Sequence, residues 1–242
     1  MESFVREHSF GSIFKSTFAV FLRGFWTFFF TYTLPVLPFF VLQMEFQARS
    51  REQLPLLAIM FASSLVGFFA YGASVISVSD ICLGNKPSLF RSYSRVFSKL
   101  AWRMFITSIL TMVVVFAGIV LLIIPGLIFG VWFLYAQIVV MLEGLSGPAA
   151  LKRSKALGKG FYWRTVGIYG AFALLMGLIV GVIAFATAFV VPSAVVLRVM
   201  IAILETGVVV PLSFIMFVLL YYDLRARKEA YDNKVLAEEL RR

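Results

Sequence analysis

Residues 104–142 read MFITSILTMVVVFAGIVLLIIPGLIFGVWFLYAQIVVML and contain no charged side chain. As a single helix this stretch would be almost twice as long as the hydrocarbon core of a bilayer, which is about 30 Å thick. Pro125 cannot continue a helical hydrogen-bond ladder, and Gly126 tolerates a turn. We therefore predict two membrane-spanning helices, Met104–Ile124 and Gly126–Leu142, joined as a tight hairpin at Pro125 and Gly126.

The rest of the chain has the same apolar character. Of its 242 residues 61% are hydrophobic and only 14% are charged. In a soluble domain about a quarter of the residues are charged. This composition excludes soluble enzymes and predicts an all-α polytopic membrane protein with six transmembrane helices. The other four predicted spans are Gly24–Gln43, Leu54–Val78, Val166–Val191 and Ile203–Tyr222. The whole chain, 1–242, is expected to be a single integral membrane domain, divided into an N-terminal interfacial helix (1–23), a six-span bundle (24–222) and a cytoplasmic tail (223–242).

The basic residues are distributed unequally between the two sides of this bundle. The chain has 22 Lys and Arg against 12 Asp and Glu, and 19 of the 22 fall in the N-terminal segment, the second and fourth loops and the C-terminal tail. Only Arg49, Arg51 and Arg198 fall on the opposite side. Because Lys and Arg accumulate in cytoplasmic loops, we predict that both termini are cytoplasmic. The charge is then a consequence of topology, and no nucleic-acid partner is expected.

Two cytoplasmic loops are predicted to form basic amphipathic helices. From Leu89 onward apolar residues follow helical spacing, while basic residues repeat every four positions on the other face, so this helix should lie in the interface plane. Each basic residue near an anionic leaflet contributes on the order of 1 kcal/mol, so both helices could bind anionic lipid headgroups or a protein partner, or simply rest on the membrane surface. The candidate lipid- or partner-binding residues are Arg91, Arg95, Lys99, Arg103, Lys152, Arg153, Lys155, Lys159 and Arg164.

The same two loops resemble each other in sequence. Leu89, Arg91-Ser92 and Trp102-Arg103 correspond to Leu151, Arg153-Ser154 and Trp163-Arg164 at offsets of 62 and 61 residues. The match suggests a weak internal repeat that consists of a cytoplasmic helix and a membrane hairpin.

Three acidic residues close the even-numbered spans on the cytoplasmic side: Asp80, Glu143 and Asp223. We interpret them as ion pairs that fix helix ends rather than as catalytic groups. Glu205, about 27 Å from Asp223 along a helix, is expected near the outer interface, where Arg198 is a candidate partner. Because no charge is expected at the membrane midplane, ion-coupled transport is disfavoured.

The sequence also gives no indication of catalysis. One His and one Cys predict neither a metal site nor a redox centre, and no cofactor is expected. No base stands beside a nucleophile in a pattern that the sequence reveals, so we do not expect an enzyme.

Several motifs resemble a bacterial membrane family. They are Ile124-Pro125-Gly126, Trp132, Glu143, Gly147, Ala150-Leu151, Arg153-Ser154, Leu157, Gly160, Trp163, Tyr221-Tyr222-Asp223-Leu224-Arg225 and Glu229. The chain, from about Phe10 to Asp232, resembles the membrane domain attached to some glycerophosphodiester phosphodiesterases and related stand-alone inner-membrane proteins of unassigned function. The resemblance implies a six-helix module of the bacterial inner membrane, an accessory in envelope or lipid metabolism. It does not imply phosphodiesterase activity, because the metal-binding barrel of those enzymes has no counterpart in this chain.

These observations lead to one main hypothesis and two alternatives. The main hypothesis is a non-enzymatic inner-membrane accessory or scaffold that binds a partner protein, membrane or cytoplasmic, or an anionic lipid at its basic cytoplasmic face. The first alternative is a small permease or transport subunit. The second is a lipid-modifying membrane enzyme that uses Asp80, Glu143 or Asp223.

Overall fold

The computed structural model describes residues 4–49, 53–190 and 193–241. The predicted segment 1–23, the predicted fifth span, which ends at Val191, and the predicted tail 223–242 each include residues outside this description, as does Arg51 of the expected outer loop. Within the described ranges the protein is all α-helical and contains no β-strand.

The helices follow one another along the chain with short connections. They are α1 (Phe10–Phe28), α2 (Leu34–Arg49), α3 (Gln53–Cys82), α4 (Leu89–Arg95), α5 (Ala101–Leu121), α6 (Ile123–Trp132), α7 (Ala136–Glu143), α8 (Pro148–Gly158), α9 (Tyr162–Val190), α10 (Ala194–Leu204), α11 (Val210–Glu229) and α12 (Asn233–Glu239). Three π-helical segments join α1 to α2, α4 to α5 and α10 to α11: Phe29–Thr33, Val96–Leu100 and Glu205–Val209.

Six of the described helical segments are long and apolar enough to cross a membrane. They are Phe10–Phe46, Gln53–Cys82, Leu89–Leu121, Ile123–Glu143, Tyr162–Thr187 and Val196–Glu229. Large apolar side chains cover the outside of these segments, for example Leu121 and Phe185, which are 78% and 69% exposed. An apolar outer surface of this extent is suited to lipid, and the predicted class of an all-α polytopic membrane protein is confirmed.

The hairpin between the third and fourth spans turns earlier than the sequence predicted. Leu122 is the extended residue, with φ −160° and ψ 136°, and α6 begins at Ile123. The prediction of a turn at Pro125 and Gly126 is therefore wrong, because both residues lie in the first turn of α6, where proline is tolerated. Gly126 is needed for close packing instead, since a Cβ there would lie 2.3 Å from the Ile119 Cγ1 atom.

Two other predicted boundaries differ from the observed helices. Helix α1 continues through Gly24 without interruption, so the expected division at residue 23/24 does not coincide with a helix end. The basic stretch from Leu89 is not one helix in the interface plane, because Ser98 has a non-helical ψ of −158°. The chain bends at Ser98, and Arg103 already belongs to the spanning helix α5.

One end of the bundle gathers the polar residues, and we call it the polar end. It is formed by the segment before α1, the C-terminal ends of α3, α7 and α11, and the short helices α4, α8 and α12. Polar side chains start several of these helices: Ser9 accepts a hydrogen bond from the Ser12 N–H at the start of α1, and Asp232 caps α12. Directly beneath, Tyr135, Tyr221 and Tyr222 are among the largest fully buried side chains.

Candidate functional site

The polar end contains an ion-pair network that is centred on the buried Arg225. Its members, which we call the Arg225 cluster, are Glu143, Arg153, Tyr221, Arg225, Glu229, Tyr231 and Glu239. They come from α7, α8, α11, α12 and the turn between α11 and α12. The cluster therefore ties the C-terminal part of the chain to the fourth span.

Arg225 uses its guanidinium group in several directions at once. It donates to the Glu239 Oε1 atom at 2.7 Å, to the Glu229 Oε2 atom at 3.0 Å and to the Tyr221 hydroxyl at 3.1 Å. The Tyr221 hydroxyl in turn donates to Glu143 at 2.8 Å. Because a planar guanidinium group offers five donors in a fixed geometry, an ammonium group could not replace these bonds.

Arg153 connects the α8 helix to the same cluster. Its Nε atom lies 2.7 Å from the Glu143 Oε2 atom, and its Nη2 atom lies 2.7 Å from the Glu229 Oε2 atom. Hydrogen bonds to Glu229 and Glu143 raise the pKa of Arg153 above its ordinary value, although partial burial opposes this. Arg153, expected to bind lipid or a partner, is therefore engaged within the protein.

Helix α12 completes the cluster and packs on the bundle. The Tyr231 hydroxyl donates to Glu239 at 2.7 Å, and burial raises the pKa of Tyr231, so the phenol remains a donor. Leu236 and Leu240 are buried at 0% and 5% exposure. The described part of the predicted tail therefore packs on its own chain.

A second buried network surrounds Asp223, two residues before Arg225. One Asp223 oxygen accepts from the His8 backbone N–H at 2.6 Å and from Arg227 Nε at 3.0 Å, and the other lies 3.1 Å from Arg164. Arg164 and Arg227 also donate to the His8 carbonyl. The segment before α1 is thus held at the start of α9 and the end of α11.

The His8 side chain is buried in this second network. Its Nε2 atom lies 3.0 Å from the Phe4 carbonyl oxygen, whereas its Nδ1 atom has no partner among the described residues. Burial lowers the pKa of His8 below its ordinary value and outweighs the opposing contributions of the Phe4 carbonyl and Asp223. The neutral imidazole is favoured because a proton on Nδ1 would have no acceptor.

The third acidic residue forms a simpler contact. Asp80 is fully buried, and the half-exposed Arg91 lies 3.7 Å away. This pair is equivalent to Glu143 and Arg153, because in each case the corresponding arginine of a short helix contacts the acid near the end of the preceding span. The two similar loops therefore make the same ion pair, which is the geometry expected of an internal repeat.

The three acids do not form a common site. Asp80, Glu143 and Asp223 have different partners, and each is held by its own arginine side chains. No group of three or more potential metal ligands occurs among the described residues. The arrangement that a lipid-modifying enzyme would need, with the acids around one headgroup, is not observed at the polar end.

A pocket of about 540 Å³ lies beside the Arg225 cluster, and we call it the basic pocket. It opens at the bend between α4 and α5 and is bounded by the end of α7 and by α12. Its lining residues are Arg95, Ser98, Lys99, Leu100, Arg103, Met141, Leu142, Glu143, Gly144 and Glu239. Three of the nine basic residues singled out in the sequence therefore share one cavity.

The arginines of the basic pocket are positioned by backbone carbonyl groups. Arg95 donates to the carbonyls of Glu239, at 2.8 Å, and Leu240, while Arg103 donates to the Gly144 carbonyl at 2.8 Å. Neither arginine, nor the exposed Lys99, forms an ion pair with a carboxylate in the described part of the chain. The three positive charges therefore lie together without a directly paired carboxylate in the described part of the chain.

The two acids that line the basic pocket form their ion pairs with other arginines. Glu143 is paired with Arg153, and Glu239 is paired with Arg225 at 2.7 Å. Both carboxylates are therefore paired with arginines that do not line the cavity, and neither forms an ion pair with the three pocket cations.

The remaining basic candidates do not line this cavity. Lys152, on α8, and Lys159, directly after it, are exposed, and the Lys155 ammonium group lies 4.1 Å from the centre of the Trp132 ring. Arg164 is held by Asp223. The predicted basic face is thus divided between paired residues, scattered surface lysines and one pocket.

Sequence reasoning missed most of the Arg225 cluster. The i, i+4 spacing of Tyr221, Arg225 and Glu229 indicates that they share one helix face and could have suggested a network. Nothing local indicates that Tyr231 and Glu239 return to it, because that depends on the left-handed conformation of Ala230, with φ 50°.

Comparison of the chain with protein-family models, curated proteins and solved structures gives no match.

Proposed function

We propose that this protein is a non-enzymatic module of the bacterial inner membrane that binds the phosphate group of an anionic lipid in the basic pocket. The observation that carries the proposal is that Arg95, Lys99 and Arg103 line one cavity and form no direct ion pair with a described carboxylate. Arginine forks match the oxygens of a phosphate group, and Lys99 adds a point charge at the rim.

The surroundings of the basic pocket favour a lipid over a soluble anion. Phe97 and Trp102, on the same bend, are 62% and 65% exposed, and Leu100 lines the cavity itself. Exposed aromatic rings beside basic residues are typical of the membrane interface. A phosphate bound at the arginines would therefore have apolar protein surface beside it for the acyl chains.

The proposed orientation places the polar end in the cytoplasm, with both termini there. It is supported by the presence of 19 of the 22 basic residues on that side of the predicted topology. The cytoplasmic leaflet carries anionic lipids, so the pocket would face its ligand. The resemblance of the sequence to membrane domains of glycerophosphodiester phosphodiesterases suggests an accessory or scaffold role in envelope or lipid metabolism.

The test measures binding of phosphatidylglycerol to the purified protein by native mass spectrometry in detergent. Lys99→Glu should weaken binding by about tenfold, which corresponds to about 1.4 kcal/mol. Lys152→Glu is the matched control, because Lys152 is also an exposed lysine at the polar end but lies outside the cavity. It should bind like the wild type.

Two results would overturn the proposal. Equal binding by Lys99→Glu and the wild type would show that the pocket does not hold the lipid. Equal losses in Lys99→Glu and Lys152→Glu would show that only the general surface charge attracts it. Copurification of a protein in fixed stoichiometry, lost in Lys99→Glu while lipid binding is unchanged, would replace the lipid by a protein partner.

A further inference from the structure

A second cavity, largely apolar, lies within the membrane-spanning part of the protein, far from the polar end. It is a groove of about 490 Å³ between α9 and the continuous helix formed by α10, its π-helical segment and α11. Its lining residues are Tyr169, Phe172, Ala173, Met176, Gly177, Val180, Gly181, Glu205, Val209, Val210 and Ser213. We call it the Glu205 groove.

Glu205 is the only acidic residue among those that line the Glu205 groove. Its carboxylate has no hydrogen bond or ion pair with any residue that the structure describes. Arg198, the partner suggested by the sequence, is exposed and makes no such contact with it in the described chain. An unpaired carboxylate in an apolar groove is costly, and a cation would lower that cost.

The position of Glu205 along the bundle matches the depth of a lipid headgroup. It precedes Asp223 by 18 residues, which places it about 27 Å from the polar end along the helix. With Asp223 at one interface of a hydrocarbon core about 30 Å thick, this spacing would put the carboxylate near the opposite interface. From there the groove extends past Val209 to Ser213, back toward the membrane interior.

The wall of the Glu205 groove on α9 is accessible from the lipid side. Gly177 and Gly181 are exposed, and a Cβ added at either position would meet no atom within 4 Å. The groove thus has open space beside these residues rather than a tightly packed helix contact. A ligand could enter laterally from the bilayer.

We propose that the Glu205 groove binds an amine-bearing phospholipid of the leaflet opposite the polar end. The ammonium group pairs with the Glu205 carboxylate at the interface, and one acyl chain lies along the groove between α9 and α11. Charge complementarity and the direction of the groove, from the interface inward, fit a lipid whose zwitterionic head carries an ammonium group above an apolar chain. This site is separate from the basic pocket and recognises the ammonium group of a lipid head rather than its phosphate group.

The test compares phosphatidylethanolamine and phosphatidylglycerol with identical acyl chains, titrated into the purified protein and followed by native mass spectrometry. Glu205→Gln removes the charge and keeps the shape of the side chain. It should weaken phosphatidylethanolamine binding about tenfold, as expected for loss of one charge-assisted contact. Phosphatidylglycerol binding should stay unchanged.

A second pair of variants tests the groove itself. Gly177→Leu fills the open space and should also weaken phosphatidylethanolamine binding. Gly167→Leu is the matched control, because Gly167 is an exposed glycine of α9 with no atom near its added Cβ and does not line the groove. It should bind like the wild type, which separates filling of the groove from a general effect on α9.

The proposal would be overturned if Glu205→Gln bound phosphatidylethanolamine as tightly as the wild type. It would also be overturned if Glu205→Gln weakened the two lipids equally, because the amine would then not be recognised. Dissociation of an oligomer in Glu205→Gln, without loss of lipid, would show instead that a cationic residue of another membrane helix occupies the groove. Lys99→Glu should leave phosphatidylethanolamine binding in the groove unchanged, so failure of one proposal does not imply failure of the other.

Discussion

The guanidinium carbon of Arg225 lies 3.8 Å from the centre of the Tyr231 ring, so the last residues of α11 are stacked against the turn that leads to α12. The same guanidinium group bonds Glu239 at the end of α12. One arginine therefore contacts both ends of the segment that returns the chain to the bundle. This arrangement explains why α12, with only seven residues, is held in place.

Replacement of Arg225 is expected to destabilise the polar end. Arg225→Met should lower the free energy of unfolding by about 3–5 kcal/mol, because Glu239 would stay buried without its cation. Arg225→Lys should cost less, since it keeps the charge but loses the planar fork. Thermal unfolding in detergent measures both effects.

Arg241→Met provides the control for loss of an arginine near α12, because Arg241 is exposed. It should leave the unfolding temperature unchanged. Unaltered stability of Arg225→Met would show that the cluster does not hold the C-terminal helix.

The two fully buried aspartates of the polar end should respond differently to the same substitution. Asp223 is contacted by the His8 N–H, Arg164 and Arg227, so Asp223→Asn should lower the free energy of unfolding by about 3 kcal/mol. Asp80 has Arg91 at 3.7 Å, and Arg91 is half exposed and can be hydrated. Asp80→Asn should therefore cost less than about 1 kcal/mol.

Parallel denaturation of the two aspartate variants decides this comparison. Equal losses in the free energy of unfolding would show that burial alone determines how much each aspartate contributes to stability. The number of donors around each carboxylate would then not matter.

The sequence predicted the spans well because hydropathy over about 20 residues is a local property. Local rules failed where two interpretations of one residue compete. In the sequence Pro125 indicates the end of a helix, but a proline in the first turn of a helix does not interrupt it. The turn of the hairpin lies three residues earlier, at Leu122. The helical spacing after Leu89 was also correct in part, but Ser98 divides it between a short helix and a span.

The polar site was less predictable because its contacts join distant parts of the chain. The bond from the His8 N–H to Asp223 links residues 215 positions apart, and Arg153 contacts Glu229 across 76 positions. A count of basic residues identifies a face but does not distinguish a paired arginine from an available one. Only the positions of the carboxylates show that Arg153 is paired, whereas Lys99 is not paired with any carboxylate among the described residues.

Gly126 should tolerate no side chain in the hairpin between α5 and α6. A Cβ there would lie 2.6 Å from the Ile119 backbone nitrogen as well as close to its side chain, so Gly126→Ala must push the two helices apart. We expect a loss of about 1–3 kcal/mol, as for overpacking of a core. Thermal unfolding of the variant in detergent measures this loss.

Gly130→Ala is the matched control on the same helix, because its Cβ would meet no atom within 4 Å. It should be neutral or slightly stabilising, by up to about 1 kcal/mol, since alanine favours helix. A stability of Gly126→Ala equal to that of Gly130→Ala would contradict the close approach of α5 and α6.

His8 is expected to make the stability of the polar end depend on pH. Burial lowers the pKa of His8 in the folded protein, whereas in the unfolded chain the pKa has its ordinary value of 6.5. The unfolded chain therefore binds the proton more readily. Around that pH the unfolded state carries more protons than the folded state. The contribution of neutral His8 to the free energy of unfolding is therefore fully present above about pH 6.5, and it decreases as the pH falls from 6.5 toward the lowered pKa of the folded protein. Asp223 favours the charged form, while Arg6 and Arg164 disfavour it.

Thermal unfolding between pH 8 and about pH 5 should therefore show a falling midpoint for the wild type. His8→Gln is the control, because its amide can still donate to the Phe4 carbonyl but does not titrate. Since the chain has a single histidine, the variant should have a flatter profile over this range. An equally steep profile in His8→Gln would assign the pH dependence to carboxylates. A wild-type midpoint that rises as the pH falls would show that Asp223, rather than burial, dominates the pKa of His8.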